Sequence, residues 1–356
     1  MKKRPKYTAA IIGTGRIGFS LGLDKKREQP ASHTMAMLAE KRIRLIAGCD
    51  NDPVHLDDWH RYYGRGIIYS SYAYMLAACN PEIVVVAVNE SAHLETALAV
   101  IRSRPRLLIL EKPVALTMKD GLKIADTAAK YNVPVMVNHE RRFALDYAVA
   151  KSYMSKVGCI QNVTAELDSG LRVYSSADEL TGAYSLLHDG THLVDIVCFL
   201  LGQKNNQTDE STAKRSILYD PLITSVYYDE NVPSVVRNVS VHFESDICPD
   251  VTIRISGRSS YFAFGVDVCG TAGRIRIGNG YAEFYRRAES KLYTGFYSLV
   301  PDEKVKIPKK TCYFSNMIKN AVDYLDGKAP LKSTLQDGLE DLDILEQIRA
   351  LLQEKL

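Results

Sequence analysis

The sequence predicts an α/β protein of two domains. Residues 1–138 read as a doubly wound parallel sheet, and residues 139–356 as a second α/β domain with a mostly antiparallel sheet. Three observations lead there. A glycine-rich turn, Gly13-Thr14-Gly15-Arg16-Ile17-Gly18, directly follows the short apolar strand Tyr7–Ile12. Apolar strands and helical segments then alternate as far as Val137, the order of βαβ units. Beyond about residue 140 the periodicity changes to the two-residue alternation of a sheet with one solvated or partner-covered face.

In the glycine turn, the first glycine allows a sharp reversal, the second a close backbone approach to a pyrophosphate, and the third tight helix–sheet packing. The helix N-terminus that follows offers N–H groups to phosphates. A turn rich in glycine can be merely a turn. Its place straight after the first strand favours a dinucleotide site, with Gly13, Gly15, Arg16, Ile17 and Gly18 as contacts. Such a site expects a ribose-binding acid about 20 residues on. The second strand, Arg44–Asp50, ends in Asp50, too far along for that spacing. The stretch Gly22–Ser32 holds Pro30 and cannot be one helix, so it reads as an insertion, with the helix proper starting at the N-cap Ser32. Removing the insertion restores the spacing. Asp50 then favours NAD over NADP, whose 2′-phosphate its charge repels.

Next come a strand at Ile67–Tyr69, a helix over Tyr74–Cys79, an apolar strand at Ile83–Val88 and a helix over His93–Ser103. A strand at Leu107–Leu110, a helix over Met118–Tyr131 and a strand at Val133–Val137 complete the first domain. Ligands of such sheets bind at the strands' carboxyl ends. Those ends carry Asn89, Glu111-Lys112-Pro113 and Asn138-His139-Glu140-Arg141-Arg142. The second domain reads as helices near Tyr147–Ser155, Gly190–Leu201 and Leu335–Leu352. Its strands are Ile160–Leu167, Val235–Phe243 and Val251–Ile255, with an exposed loop at 203–215 and a turn at Gly270-Thr271-Ala272-Gly273.

A formal charge of +3 spread evenly along 356 residues argues against a nucleic-acid partner. The start, Met1-Lys2-Lys3-Arg4, lacks the apolar core of a signal peptide, and no apolar run is long enough to span a membrane. Seven scattered cysteines without a CxxC pair suggest reduced thiols and a cytoplasmic protein.

Two clusters can carry chemistry. Lys112 closes a strand on the cofactor side; it either caps that strand in solvent or transfers a proton there. Pro113 restricts it to an extended conformation. His188-Asp189-Gly190-Thr191-His192 opens a helix on which His188 and His192, four apart, share a face and Asp195 can orient His192. Taken alone the pentad is similar to a metal-binding HExxH helix, but no third ligand is evident and the glycine weakens a mid-helix placement, so no metal is expected.

The order of these pieces resembles the Gfo/Idh/MocA family of NAD(P)-dependent oxidoreductases: the glycine turn, Tyr72-x-x-Met75-Leu76, Asn89 and His93, Glu111-Lys112-Pro113, Arg141-Arg142-Phe143, Gly190-x-His192-x-x-Asp195, Gly270-Thr271-Ala272-Gly273 and Asp337-Gly338-Leu339. The resemblance implies a Rossmann domain followed by a domain with a large open sheet that builds homodimers or homotetramers. It implies hydride transfer between NAD and a secondary alcohol of a sugar, inositol or sugar derivative. Lys112 corresponds to the lysine of the EKP motif and His192 to the family histidine at the reacting hydroxyl, with His188 assisting. The family often has aspartate at the position of His188; here it stands one later, at Asp189. Asn89, His93, Glu111 and Lys112 join the cofactor contacts, and Arg141, Asp168, Arg172, Asp189 and His192 the substrate contacts, with Tyr174 beside them. The same family also holds redox-neutral NAD-dependent glycosidases and non-catalytic ligand-sensing regulators.

Overall fold

The computed structural model describes residues 6–170, 185–202, 216–231 and 235–354. The chain divides into two compact units, Met1–Ala144 with Lys310–Leu339, and Leu145–Lys309 with Glu340–Leu356.

The first unit holds six parallel strands: β1 (Tyr7–Ile12), β2 (Ile43–Cys49), β3 (Ile67–Tyr69), β4 (Ile83–Val86), β5 (Leu107–Leu110) and β6 (Val135–Val137). Their order is β3-β2-β1-β4-β5-β6. The chain winds one way from β1 to β3 and the other from β4 to β6, so the switch point lies between the carboxyl ends of β1 and β4, where such sheets bind ligands. Every side chain of β4 and β5 is buried, as expected of parallel strands covered on both faces.

The connecting helices are α1 (His33–Ala39), α2 (Pro53–Tyr63), α3 (Tyr72–Cys79), α4 (His93–Arg102) and α5 (Met118–Tyr131). Their ends follow local chemistry. Asp52 and Thr117 cap the first turns of α2 and α5, while Gly64, Asn80 and Asn132 end α2, α3 and α5 in left-handed conformations.

The second unit begins with α6 (Leu145–Tyr153) and β7 (Ile160–Asp168), then the short α7 (Ser185–His188) and α8 (Gly190–Leu201). Strands β8 (Tyr219–Tyr228), β9 (Val236–Ser245), β10 (Cys248–Ser256), β11 (Ala263–Gly270), β12 (Gly273–Gly278), β13 (Tyr281–Glu289) and β14 (Tyr297–Pro301) follow. With β7 they form an eight-stranded sheet in the order β14-β13-β12-β11-β7-β10-β9-β8. Only the β7–β10 pair is parallel. Val163, Ala165 and Leu167 of β7 and Val251, Ile253 and Ile255 of β10 point into the core; between them Arg254 of β10 pairs with Glu166 of β7, and further along the sheet Arg274 of β12 pairs with Asp267 of β11. The chain then returns to the first unit with α9 (Tyr313–Leu325), where Phe314, Met317, Ile318, Ala321 and Val322 join the core of β1, β4 and α1. The last helix, α10 (Leu335–Gln353), starts in the first unit and ends in the second.

The loop expected at 203–215 lies outside the described residues, as do Arg172 and Tyr174. No helix among the described residues is long and apolar enough to cross a membrane.

Candidate active site

The glycine turn sits at the switch point. Gly13 has φ +93°, and a Cβ there would stand 2.3 Å from the Ala87 carbonyl oxygen. A Cβ on Gly18 would lie 2.0 Å from the Gly13 oxygen. Gly15 is different: a Cβ there would meet only the His55 ring, at 3.5 Å. Two glycines are therefore fixed by packing. The middle one leaves an open approach to the backbone, the room a pyrophosphate requires.

The helix expected to present its N-terminus here is displaced. In α1 the amides of His33 and Thr34 already donate to the carbonyls of Ile17 and Gly18, at 3.1 and 3.0 Å, and that of Met35 to Ser32 Oγ at 3.4 Å. The chain instead coils directly after Gly15, whose carbonyl accepts from the Phe19 and Ser20 amides. The insertion then runs to α9. The Glu28 carboxylate accepts from the amides of Thr311 (2.8 Å) and Cys312 (2.7 Å) and from the Thr311 hydroxyl (3.1 Å). Burial opposes its charge, but these donors outweigh it and hold the carboxyl below its ordinary range.

Asp50 directly follows β2 and braces the glycine turn. Its Oδ2 accepts from the Thr14 amide at 2.7 Å and the Thr14 hydroxyl at 3.2 Å, and its Oδ1 from the Asp52 amide at 2.9 Å. A carboxylate has capacity for about four hydrogen bonds, so room for a ribose hydroxyl remains.

Lys112 stands half-buried at the end of β5, joined to Pro113 by a cis peptide bond. Its neighbour Glu111 is buried, and Glu111 Oε1 accepts from His33 Nε2 and from Asn138 Nδ2, each at 2.6 Å. Burial raises the Glu111 carboxyl, but the His33 and Asn138 donors and the nearby Lys112 ammonium leave it below its ordinary range. The His33 ring meets Phe314 edge-on at 5.2 Å.

His93, expected among the cofactor contacts, is completely buried, with Nδ1 2.7 Å from the Pro113 carbonyl oxygen and Nε2 3.2 Å from that of Val88. Burial pushes its pKa down. It ties the end of β4 to the loop after Lys112. Asn89 and Arg16 are exposed. Arg141 pairs with Glu140 at 3.2 Å, and buried Arg142 with Asp337 at 2.8 Å. Gly338 lets α10 approach closely, since a Cβ there would stand 2.5 Å from Val114.

In the second unit, β7 ends in Asp168, buried and 3.7 Å from the Arg254 guanidinium. The next residue, Ser169, donates its hydroxyl to Asp189 Oδ2 at 2.7 Å. Asp189 stands at the N-cap of α8 without capping it through its side chain, which accepts the Ser169 bond instead. It also separates α7 from α8, so His188 and His192 do not share one uninterrupted helix. The backbone at Asp189 nevertheless stays in the right-handed region, and the His192 amide donates to the Asp189 carbonyl at 3.1 Å. Both histidines are half-buried.

Sequence reasoning missed His33 and Asn138 as partners of Glu111, and Thr14 and His55 as neighbours of Asp50. No local signal linked His33 to a carboxylate 78 residues away. His55, on the first turn of the helix after Asp50, was within reach of a reading by spacing.

A parallel sheet with a glycine turn at its switch point and an acid ending β2 defines a dinucleotide-binding Rossmann domain, and residues 7–139 match the family described as "Oxidoreductase family, NAD-binding Rossmann fold". The segment 7–139 belongs to this Gfo/Idh/MocA family, and the chain is similar to dehydrogenases beyond it. It is 26% identical over 200 residues to D-glucoside 3-dehydrogenase of Escherichia coli, a match spanning 54% of this chain and about half, 53%, of that relative. It is 21% identical over 294 residues to scyllo-inositol 2-dehydrogenase (NADP(+)) of Bacillus subtilis, 77% of each chain. The solved WlbA dehydrogenase of Bordetella pertussis, in complex with NADH and UDP-GlcNAcA, shares the fold with a TM-score of 0.72 at 17% identity, covering 99% of this chain and 98% of that one. The open approach at Gly15 and the remaining acceptor capacity of Asp50 fit a nicotinamide dinucleotide.

Proposed function

We propose that this protein is an NAD-dependent dehydrogenase that interconverts a secondary alcohol and a ketone on a sugar, inositol or sugar derivative. One observation carries the reading. The glycine turn, open at Gly15 and braced by Asp50, lies at the switch point of a sheet that also presents Lys112 at the end of β5. The nicotinamide, when bound, supplies the hydride acceptor. Lys112, half-buried at the end of β5, takes or returns the hydroxyl proton. Gly13, Gly15, Arg16, Ile17 and Gly18 carry the cofactor phosphates, Asp50 selects NAD through its ribose, and Asn89 and Glu111 complete the cofactor contacts. His93 serves by holding the loop. By family likeness His192 contacts the reacting hydroxyl and His188 assists, while Arg141, Asp168, Arg172 and Asp189 recognise the substrate.

The chain's likeness to glucoside and inositol dehydrogenases supports the substrate class. Seven cysteines without a disulfide support a cytoplasmic protein, and a large open sheet whose β13–β14 hairpin exposes Leu292, Tyr293, Phe296 and Tyr297 supports a homodimer or homotetramer. The test is a panel of sugars, inositols and sugar acids offered with NAD and with NADP, following reduced nicotinamide. Net reduction with at least one polyol is expected. Release of sugar from glycosides without net reduction would establish the redox-neutral glycosidase instead.

A further inference from the structure

A second residue stands at the place where NAD and NADP differ. Asp50 is committed on both oxygens, to the Thr14 amide and hydroxyl and to the Asp52 amide. Beside it, on the first turn of α2, His55 places Nδ1 3.9 Å from Asp50 Oδ2 and 3.7 Å from Asp52 Oδ2. Its ring also lies 3.5 Å from the point where a Gly15 Cβ would stand, and its side chain is 49% exposed. The imidazole therefore borders both the acid that ends β2 and the glycine that faces the phosphates, with surface left for a ligand.

We propose that His55 is a conditional determinant of cofactor choice. When protonated it offsets the Asp50 charge and donates an N–H to the 2′-phosphate of NADP; when neutral it leaves Asp50 to reject that phosphate. The inference rests on the dinucleotide reading of the glycine turn. The charged groups facing His55 are Asp50 from the end of β2 and Asp52 from the cap of its own helix. Arg16 is the charged side chain of the glycine turn; it is exposed and in no ion pair among the described residues. Asp57 and Asp58, further along α2, pair with Arg61. An imidazole can gain or lose its proton near physiological pH, so preference moves with pH. NAD dominates at neutral and alkaline pH, and NADP gains as the solution becomes acidic.

The experiment uses the full chain and two nucleotides that carry only the adenosine half, 5′-ADP and 2′,5′-ADP, titrated by calorimetry at several pH values. The readout is the ratio of their dissociation constants. In the unmutated protein 2′,5′-ADP should gain on 5′-ADP by roughly two- to fivefold from about pH 8 to pH 6, the scale of an exposed ion pair. His55→Ala should lose that gain. The 2′-phosphate also titrates, so any pH trend that survives in His55→Ala belongs to the nucleotide. His55→Lys, a permanent cation, should favour 2′,5′-ADP at both pH values. An equal pH trend in the unmutated protein and His55→Ala, with both nucleotides bound, overturns the role of His55. Failure of 2′,5′-ADP alone to bind at any pH overturns the role of His55, and failure of both nucleotides overturns the dinucleotide site itself.

Discussion

The three glycines of the turn should separate by substitution, because the structure gives them different work. A methyl on Gly13 is forced to 2.3 Å from the Ala87 oxygen at φ +93°, and one on Gly18 to 2.0 Å from the Gly13 oxygen. Both contacts are with backbone at the centre of the sheet, which cannot give way cheaply. Backbone strain and overpacking together put Gly13→Ala at about 2–5 kcal/mol of lost stability, and overpacking puts Gly18→Ala at about 1–3 kcal/mol. A methyl on Gly15 meets only an imidazole at ordinary contact distance, 3.5 Å. Gly15→Ala should therefore unfold within about 0.5 kcal/mol of the unmutated protein. Its methyl occupies the approach proposed for the pyrophosphate, so it should weaken NADH binding by about 1–3 kcal/mol, roughly 5- to 150-fold in Kd. Urea denaturation reads the first quantity and a fluorescence titration the second. Normal NADH affinity in Gly15→Ala would refute the placement of the phosphates over this turn.

Glu111→Leu removes the acceptor shared by His33 and Asn138 and should destabilise the protein by about 3–5 kcal/mol at neutral pH. The Glu111 pKa is lower folded than unfolded, so its contribution is fully present above the unfolded value, about 4.3, and fades as pH falls through the folded value. The gap between variant and parent in urea should close in acid; a constant gap would contradict the network. Asp50→Ala should abolish the preference for NAD, seen in the NADP-to-NAD ratio of kcat/KM. It should also cost about 1–3 kcal/mol because the Thr14 amide loses its acceptor. An unchanged ratio would remove Asp50 from cofactor choice. His192→Ala should abolish turnover on any substrate found in the panel, and a catalytic constant near the parent's would take His192 out of the chemistry.

Elements whose signals are local were legible in the sequence. The bounds of β3, β5, α5 and α8 are those read from it, because continuous apolar runs and capping residues such as Thr117 mark them directly. Several strands of the second sheet were not. β11 alternates Phe264, Val266 and Val268 with Gly265 and Asp267 but is short and bounded by glycine, and β13 carries Arg286 and Arg287 in succession and shows no clean alternation. β8 buries only Ile223, and half of its residues are exposed. In α9 the buried Phe314, Met317, Ile318, Ala321 and Val322 do recur at helical spacing, a signal present and unused.

The site divides the same way. Gly13, Gly15, Gly18, Asp50 and Lys112 are marked by their position relative to strands. The contacts that support them are long-range. Glu28 holds the start of α9, Phe314 of that helix meets His33, His33 holds Glu111, and Arg142 pairs with Asp337. Burial and partnership of this kind arise only when the chain closes on itself, which is why the bonds of His93 to the Pro113 and Val88 carbonyls were not legible in the sequence.

The account turns on Lys112 being the group that moves a proton rather than one that merely binds the cofactor. The chain has a single tryptophan, Trp59, buried beneath β2. Energy transfer from it to reduced nicotinamide reports cofactor binding independently of turnover. The decisive measurement is Lys112→Ala followed both ways, by NADH titration through Trp59 and by the steady-state rate on a responding polyol. The expected result is an NADH affinity close to the parent's with kcat reduced by a factor on the order of 10²–10⁴. A variant that keeps its kcat and loses only cofactor affinity would contradict the account and leave Lys112 a ligand of the dinucleotide.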